Sequence, residues 1–160
     1  MRMLAGLGLC ALIAVALADN ATRWALGSDV ATSRPALSQR SATAIKDESA
    51  KNDVTPVFSF RCDPPVNARI DWHRFISSFN TEVGFKVDDG KFTWLKMKVD
   101  DSEQVTYSAS SDDTLQLVEL FSTGRKLTIE VTPYAGAPVT AEFDLTGFES
   151  VFGVLQANCR

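Results

Sequence analysis

The chain has 160 residues, 45% of them hydrophobic and 22% charged, with a formal net charge of −4. That is the composition of one folded domain, which excludes wholesale disorder and leaves too little chain for two full cores. An acidic balance with one His and three Cys excludes a general nucleic-acid binder, zinc-finger frameworks and multi-His metal centres.

Residues 1–18 read as a secretory signal peptide. Arg2 supplies a positive charge, an apolar run follows over 4–17, and Ala16-Leu17-Ala18 is a small-x-small cleavage triplet before Asp19. The run is shorter than the roughly 20 residues a spanning helix requires, so no stable membrane insertion is expected after cleavage. Cys10 leaves with the signal. The expected location is periplasmic or secreted.

Residues 19–55 predict poorly defined N-terminal strands and loops, with an edge strand over 38–45 and a polar loop over 46–53. From residue 56 to 160 the pattern sharpens into a β-rich domain with period-two alternation. Phe58, Phe60 and Cys62 face one way, Ser59 and Arg61 the other. The same alternation marks Ala68-Ile70-Trp72, Val83-Phe85-Val87, Thr93-Leu95-Met97-Val99, Val105-Tyr107-Ala109, Leu127-Ile129-Val131 and Val139-Ala141-Phe143-Leu145. Asp89-Gly90 signals a type I′ hairpin turn, with positive φ at both residues. Ser111-Asp112-Asp113 before an apolar run to Phe121 predicts a short helix. Thr146-Gly147-Phe148-Glu149 has the spacing of a capping box. Phe148, Val151, Phe152, Leu155 and Cys159 then trace one face of a C-terminal amphipathic helix. The fold class is mainly β: an antiparallel β-sandwich-like domain with a short helix and a C-terminal amphipathic helix.

Cys62 ends a buried strand face and Cys159 ends the apolar face of the last helix. In an oxidising compartment this predicts a Cys62–Cys159 disulfide, against the rival reading of a nucleophilic thiol. His73 lies two residues after Asp71 with Arg69 nearby, and a general base with its orienting carboxylate is conceivable there. With no Gly-x-Ser-x-Gly motif, a solvated strand face is the better reading, and no catalytic residues are assigned. The pairs Asp88-Asp89, Asp100-Asp101 and Asp112-Asp113 match no calcium-loop spacing and suit turns and caps. No metal and no cofactor are expected.

In the strand 92–99, Phe92, Trp94, Lys96 and Lys98 lie opposite the aliphatic set. Lysines bury their stems and keep their charge in water, so this face is expected to end at solvent and to serve as a contact surface, the alternative being a second layer, such as a helix, packed over it.

The C-terminal half resembles the VasI-type proteins, small exported proteins associated with bacterial type VI secretion gene clusters. The residues that carry the resemblance are Phe60-Arg61-Cys62, Ile70-Asp71-Trp72, Thr81-Glu82-Val83, Val87-Asp88-Asp89-Gly90-Lys91, Leu127 through Thr132-Pro133-Tyr134, Pro138 through Phe143-Asp144-Leu145-Thr146-Gly147, and Cys159. Trp24 stands where such proteins open the domain with a Trp. The resemblance implies a non-enzymatic accessory protein of a type VI secretion system, with an envelope or secretion-system protein as partner. The alternative is a periplasmic inhibitor or immunity-like binder of a cell-wall hydrolase.

Overall fold

The structure, a computed structural model, describes residues 23–46 and 52–159. The expected signal peptide and most of the expected polar loop at 46–53 lie outside the described residues. The elements run β1 (Ala25–Ser28), β2 (Pro35–Arg40), β3 (Val57–Arg61), β4 (Asn67–Asp71), β5 (Thr81–Val87), β6 (Thr93–Val99), β7 (Val105–Tyr107), α1 (Ser111–Phe121), β8 (Lys126–Val131), β9 (Val139–Asp144) and α2 (Phe148–Asn158). The strands form one nine-stranded sheet in the order β1-β2-β3-β4-β7-β6-β5-β8-β9. Every pairing in it is antiparallel.

The sheet folds over on itself. Five strands separate β3 from β9 in the order, yet the Phe58 and Phe143 ring centroids are 6.0 Å apart. Beyond β2, the Ala42 N–H donates to the Glu142 carbonyl at 2.8 Å. The Ser41 and Thr43 hydroxyls both accept the Glu142 N–H. This clasp joins the β2 end of the sheet to β9 and gives the domain its sandwich-like form. The alternation explains the rest: Val83, Phe85, Leu95, Met97, Ile129 and Phe143 are buried on the inner face, while their sequence neighbours turn outward.

Two helices cover the open inner side. Ser110 caps α1 by accepting the Asp113 N–H, and Asp112 and Asp113 favour the positive end of the dipole. Leu117 and Phe121 of α1, with Phe148, Phe152 and Leu155 of α2, enter the core. There Phe58 lies 5.3 Å from Phe121, and Phe60 lies 5.2 Å from Phe152. Trp24 packs 5.1 Å from Phe148, so the residue just before β1 belongs to the same core. A Cys62–Cys159 disulfide pins the end of α2 to the end of β3, with Cα atoms 5.3 Å apart.

Four sequence expectations need correction. The strand expected over 38–45 is Pro35–Arg40, and it is not an edge, because β1 pairs along its outer side. The turn after β5 is not type I′: the left-handed residue is Asp88 (φ 49), and neither Asp89 nor Gly90 has positive φ. The Asp88 carboxylate accepts the Arg125 and Lys126 N–H groups, so pairing with β8 sets this loop. Gly90 is needed for closeness instead, since a Cβ there would sit 2.9 Å from the Val87 carbonyl oxygen. The capping box does not form. Gly147 (φ 77) is the N-cap of α2, and the Thr146 N–H turns back to the Asp144 carboxylate at 2.8 Å. Finally, β4 stops at Asp71, and His73 adopts a left-handed backbone (φ 53) rather than continuing a strand face.

Candidate functional site: the outer face of the sheet

The outer face of β5 and β6 is built around a gap. Gly84 of β5 pairs with Trp94 of β6 on one side and with Glu130 of β8 on the other. With no side chain at Gly84, the indole lies down across the strand. A Cβ there would meet Trp94 Cη2 and Phe92 Cδ1, each at 2.9 Å. An aromatic laid over a cross-strand glycine restores the packing that the glycine lacks. Phe92 packs against the indole at 5.5 Å between centroids. The Lys86 ammonium in turn lies 5.2 Å from the Phe92 ring centroid, a cation–π contact.

The result is a tryptophan fixed in place yet open to solvent. Trp94 is 47% exposed, against 7% for Trp24 and 0% for Trp72. Trp72 shows the opposite solution for the same side chain: its indole N–H donates to the buried Thr106 hydroxyl at 3.0 Å. Beside Trp94 an open depression of about 510 Å³ is lined by Asn80, Thr81, Glu82 and Thr132. Two exposed loop aromatics, Phe79 and Tyr134, belong to the chain on either side of it. Their loops are tied by the Tyr134 N–H donating to the Ile76 carbonyl at 2.7 Å.

Of the four residues singled out in the sequence, Phe92 and Trp94 are brought into contact. Phe92 is half-buried and lies just before β6 begins. Lys96 is exposed on the same face, opposite Glu82. Lys98 is exposed and pairs with Tyr107 of β7, so it lies away from the aromatic pair. Neither lysine forms an ion pair among the described residues. Gly84 and Lys86 were missed. The available signal was a lone glycine inside an otherwise large-residue strand, which marks a close approach by a neighbour.

The Asp71–His73 pair is local. Asp71 Oδ1 accepts the His73 backbone N–H at 2.9 Å and lies 3.2 Å from the ring Nδ1. Its carboxylate therefore closes the turn that ends β4. Asp88 and Asp100 likewise hold loop backbone N–H groups, and Asp112 and Asp113 sit at the start of α1. Among the described residues no group of three or more His, Cys, Asp or Glu is placed to hold a metal ion, and no helix is long and apolar enough to cross a membrane.

No protein-family model and no curated protein matches this chain. Among solved structures, it is similar to the crystal structure of invasion associated protein B from Bartonella henselae. The TM-score is 0.52 at 14% identity, over 84% of this chain and 92% of that one. At that identity the likeness is one of fold, and it extends over nearly the whole of the other domain.

Proposed function

We propose that this is an exported, non-enzymatic protein of the bacterial envelope that acts by surface contact, with the Trp94 face as its docking surface. The observation that carries the reading is the indole held over Gly84. A large, rigid, half-exposed aromatic costs little side-chain entropy on binding and buries much area, the properties of an interface anchor. Lys86 beside Phe92 and Lys96 on the same face give the polar rim that such anchors have, suited to a partner with acidic groups. The disulfide supports export, since such bonds persist in oxidising compartments. Assignment to a type VI secretion system rests on the VasI-like segments. The alternative partner is a cell-wall hydrolase.

The test is capture from an envelope extract by the wild-type protein, Trp94→Ala and Leu115→Ala, the last removing an exposed apolar side chain on α1. A single envelope protein should be retained by wild type and Leu115→Ala and lost by Trp94→Ala, with circular dichroism unchanged. Identification of that protein as a secretion-system component supports the first partner, and as a hydrolase the second. Equal capture by Trp94→Ala, or unfolding of that variant, overturns the reading.

A further inference from the structure

The other half of the outer face carries a different chemistry. Where the β1–β2 hairpin stands beside β3 and β4, it leaves a depression of about 240 Å³. Ser38 and Ser59, cross-strand partners, form its floor. Arg40, Arg61 and Arg69, one from each of three adjacent strands, line it together with Asp29 and Asp71.

Two of the guanidinium groups are held in place by acids. Arg61 Nη1 donates to Asp29 Oδ2 at 2.9 Å, and Asp29 is itself buried and accepts the Thr32 N–H and hydroxyl. Arg69 Nη2 donates to Asp100 Oδ2 at 3.0 Å while its guanidinium lies 5.6 Å from the Tyr107 ring centroid. Each fork is thus engaged at one terminal nitrogen. The Nε of both is buried with no hydrogen-bond acceptor among the described residues, and a buried N–H left unpaired is costly. Arg40 has no acid partner among the described residues. Asp29 and Asp100 thus answer Arg61 and Arg69, and Arg40 is left as the arginine of the lining with no acid opposite it among the described residues. The second carboxylate of the lining, Asp71, accepts the His73 backbone N–H.

We propose that this depression binds a phosphate group. The lining supplies two arginine forks preset by acids at one nitrogen each, one arginine with no acid partner among the described residues, and two serine hydroxyls. A planar carboxylate would satisfy one fork. A tetrahedral phosphate offers oxygens to several donors at once, and arginine is the side chain suited to it. A neutral ligand would leave the Arg40 charge unanswered. The phosphate group comes either from a soluble ester or from a lipid headgroup.

The test begins with inorganic phosphate and the full-length protein. Thermal melts at constant ionic strength, with phosphate replacing chloride, should show a saturable rise in Tm, as mass action requires of a ligand that binds the folded state. The Arg40 side chain makes no hydrogen bond or ion pair among the described residues, so Arg40→Gln leaves the contacts of the fold in place. It should melt like wild type without phosphate and bind phosphate about ten-fold more weakly or worse, the loss of one charge-assisted hydrogen bond. Arg125→Gln, which changes an arginine outside this depression, should respond as wild type does. Glycerol 3-phosphate in solution, and sedimentation with phosphatidylglycerol vesicles against phosphatidylcholine vesicles, then separate the two sources. Arg40-dependent binding in either arm supports the site. No saturable rise at millimolar phosphate, or an equal rise in Arg40→Gln, overturns it.

Discussion

The same two strands solve the aromatic problem in opposite ways on their two faces. Inside, Val83 and Phe85 of β5 and Leu95 and Met97 of β6 are buried under a ring of phenylalanines drawn from β3, β9 and both helices. Phe58 alone has four other phenylalanines within 6.5 Å between centroids. Outside, Trp94 has one aromatic neighbour among the described residues, Phe92, and a glycine for a bed. An inner ring is fixed from many directions, so its loss is a loss of fold. The outer ring is fixed from one direction only, so half of it remains to be covered by something else. Burial thus separates residues that build the domain from residues that face a partner, though both sets are aromatic.

The sharpest way to test the inner half of that comparison is to release its lid. The disulfide closes a loop spanning 97 residues and holds α2, with Phe148, Phe152 and Leu155, over the phenylalanine ring. Chain entropy for a loop of that length gives about 4–5 kcal/mol as an upper figure. Cys62→Ser with Cys159→Ser should therefore lower stability by several kcal/mol in urea melts, and Trp24, which packs on Phe148, should become solvent-exposed. Trp94 should keep its emission until global unfolding. Loss of less than about 1 kcal/mol would show that α2 is held by packing alone.

A smaller effect sharpens the outer half. Asp29 is an acid on the outer side that is buried, an exception to the open face. Burial by itself would raise its pKa, but the Thr32 hydroxyl, the Thr32 N–H and the Arg61 guanidinium together hold it below the ordinary value of 3.8. A lowered folded-state pKa means stability that is present above the unfolded value and lost as pH falls through the folded one. Asp29→Asn should cost roughly 1–2 kcal/mol at neutral pH. The gap between variant and wild type should close below the ordinary aspartate range. A gap that is the same at every pH would assign the loss to packing instead of charge.

What the sequence made legible follows the same division. From β3 onward, alternation located the strands because the inner face there is a continuous hydrophobic surface. The disulfide was legible for the same reason, both cysteines sitting at the ends of apolar faces. The first two strands were not. In β1 all four residues are exposed, and β2 buries Gln39, whose amide donates to the Asp144 carbonyl at 3.0 Å. Neither leaves a period to read. The turn at Asp88 and the start of α2 were misread because the expected motifs lose there to other hydrogen-bond partners, a distant strand in the first case and a neighbour two residues back in the second. The Asp88 carboxylate is taken by β8, and the Thr146 N–H by Asp144. The Trp94 face was visible as a stripe, but its support was not: alternation gives the side on which a residue lies, and says nothing of the cross-strand neighbour that lets an indole lie flat. The arginine-lined depression was equally hidden, since Arg40, Arg61 and Arg69 meet only through strand register.

The smallest expected effect on stability is the one that most directly probes the two-face comparison. In Gly84→Ala, the new Cβ would stand 2.9 Å from the Trp94 and Phe92 rings, so the rings must lift. Lifting costs the contact between indole and strand. Alanine, however, restricts the unfolded chain more than glycine does, which stabilises by about 0.4–1 kcal/mol wherever the backbone allows it. Gly84 lies inside a regular strand pairing and has no positive φ, so the backbone allows it. The two terms oppose each other, and the net change in stability should fall within about 1 kcal/mol. The fluorescence should not be neutral. Trp24 and Trp72 are buried, so a red shift or altered quenching by iodide reports Trp94 alone, and partner capture should weaken as it does for Trp94→Ala. A loss of several kcal/mol would mean that the outer ring is structural after all and that the two faces differ in degree only. An unchanged emission spectrum would mean that the indole does not rest on Gly84, and the preset anchor would lose its physical basis.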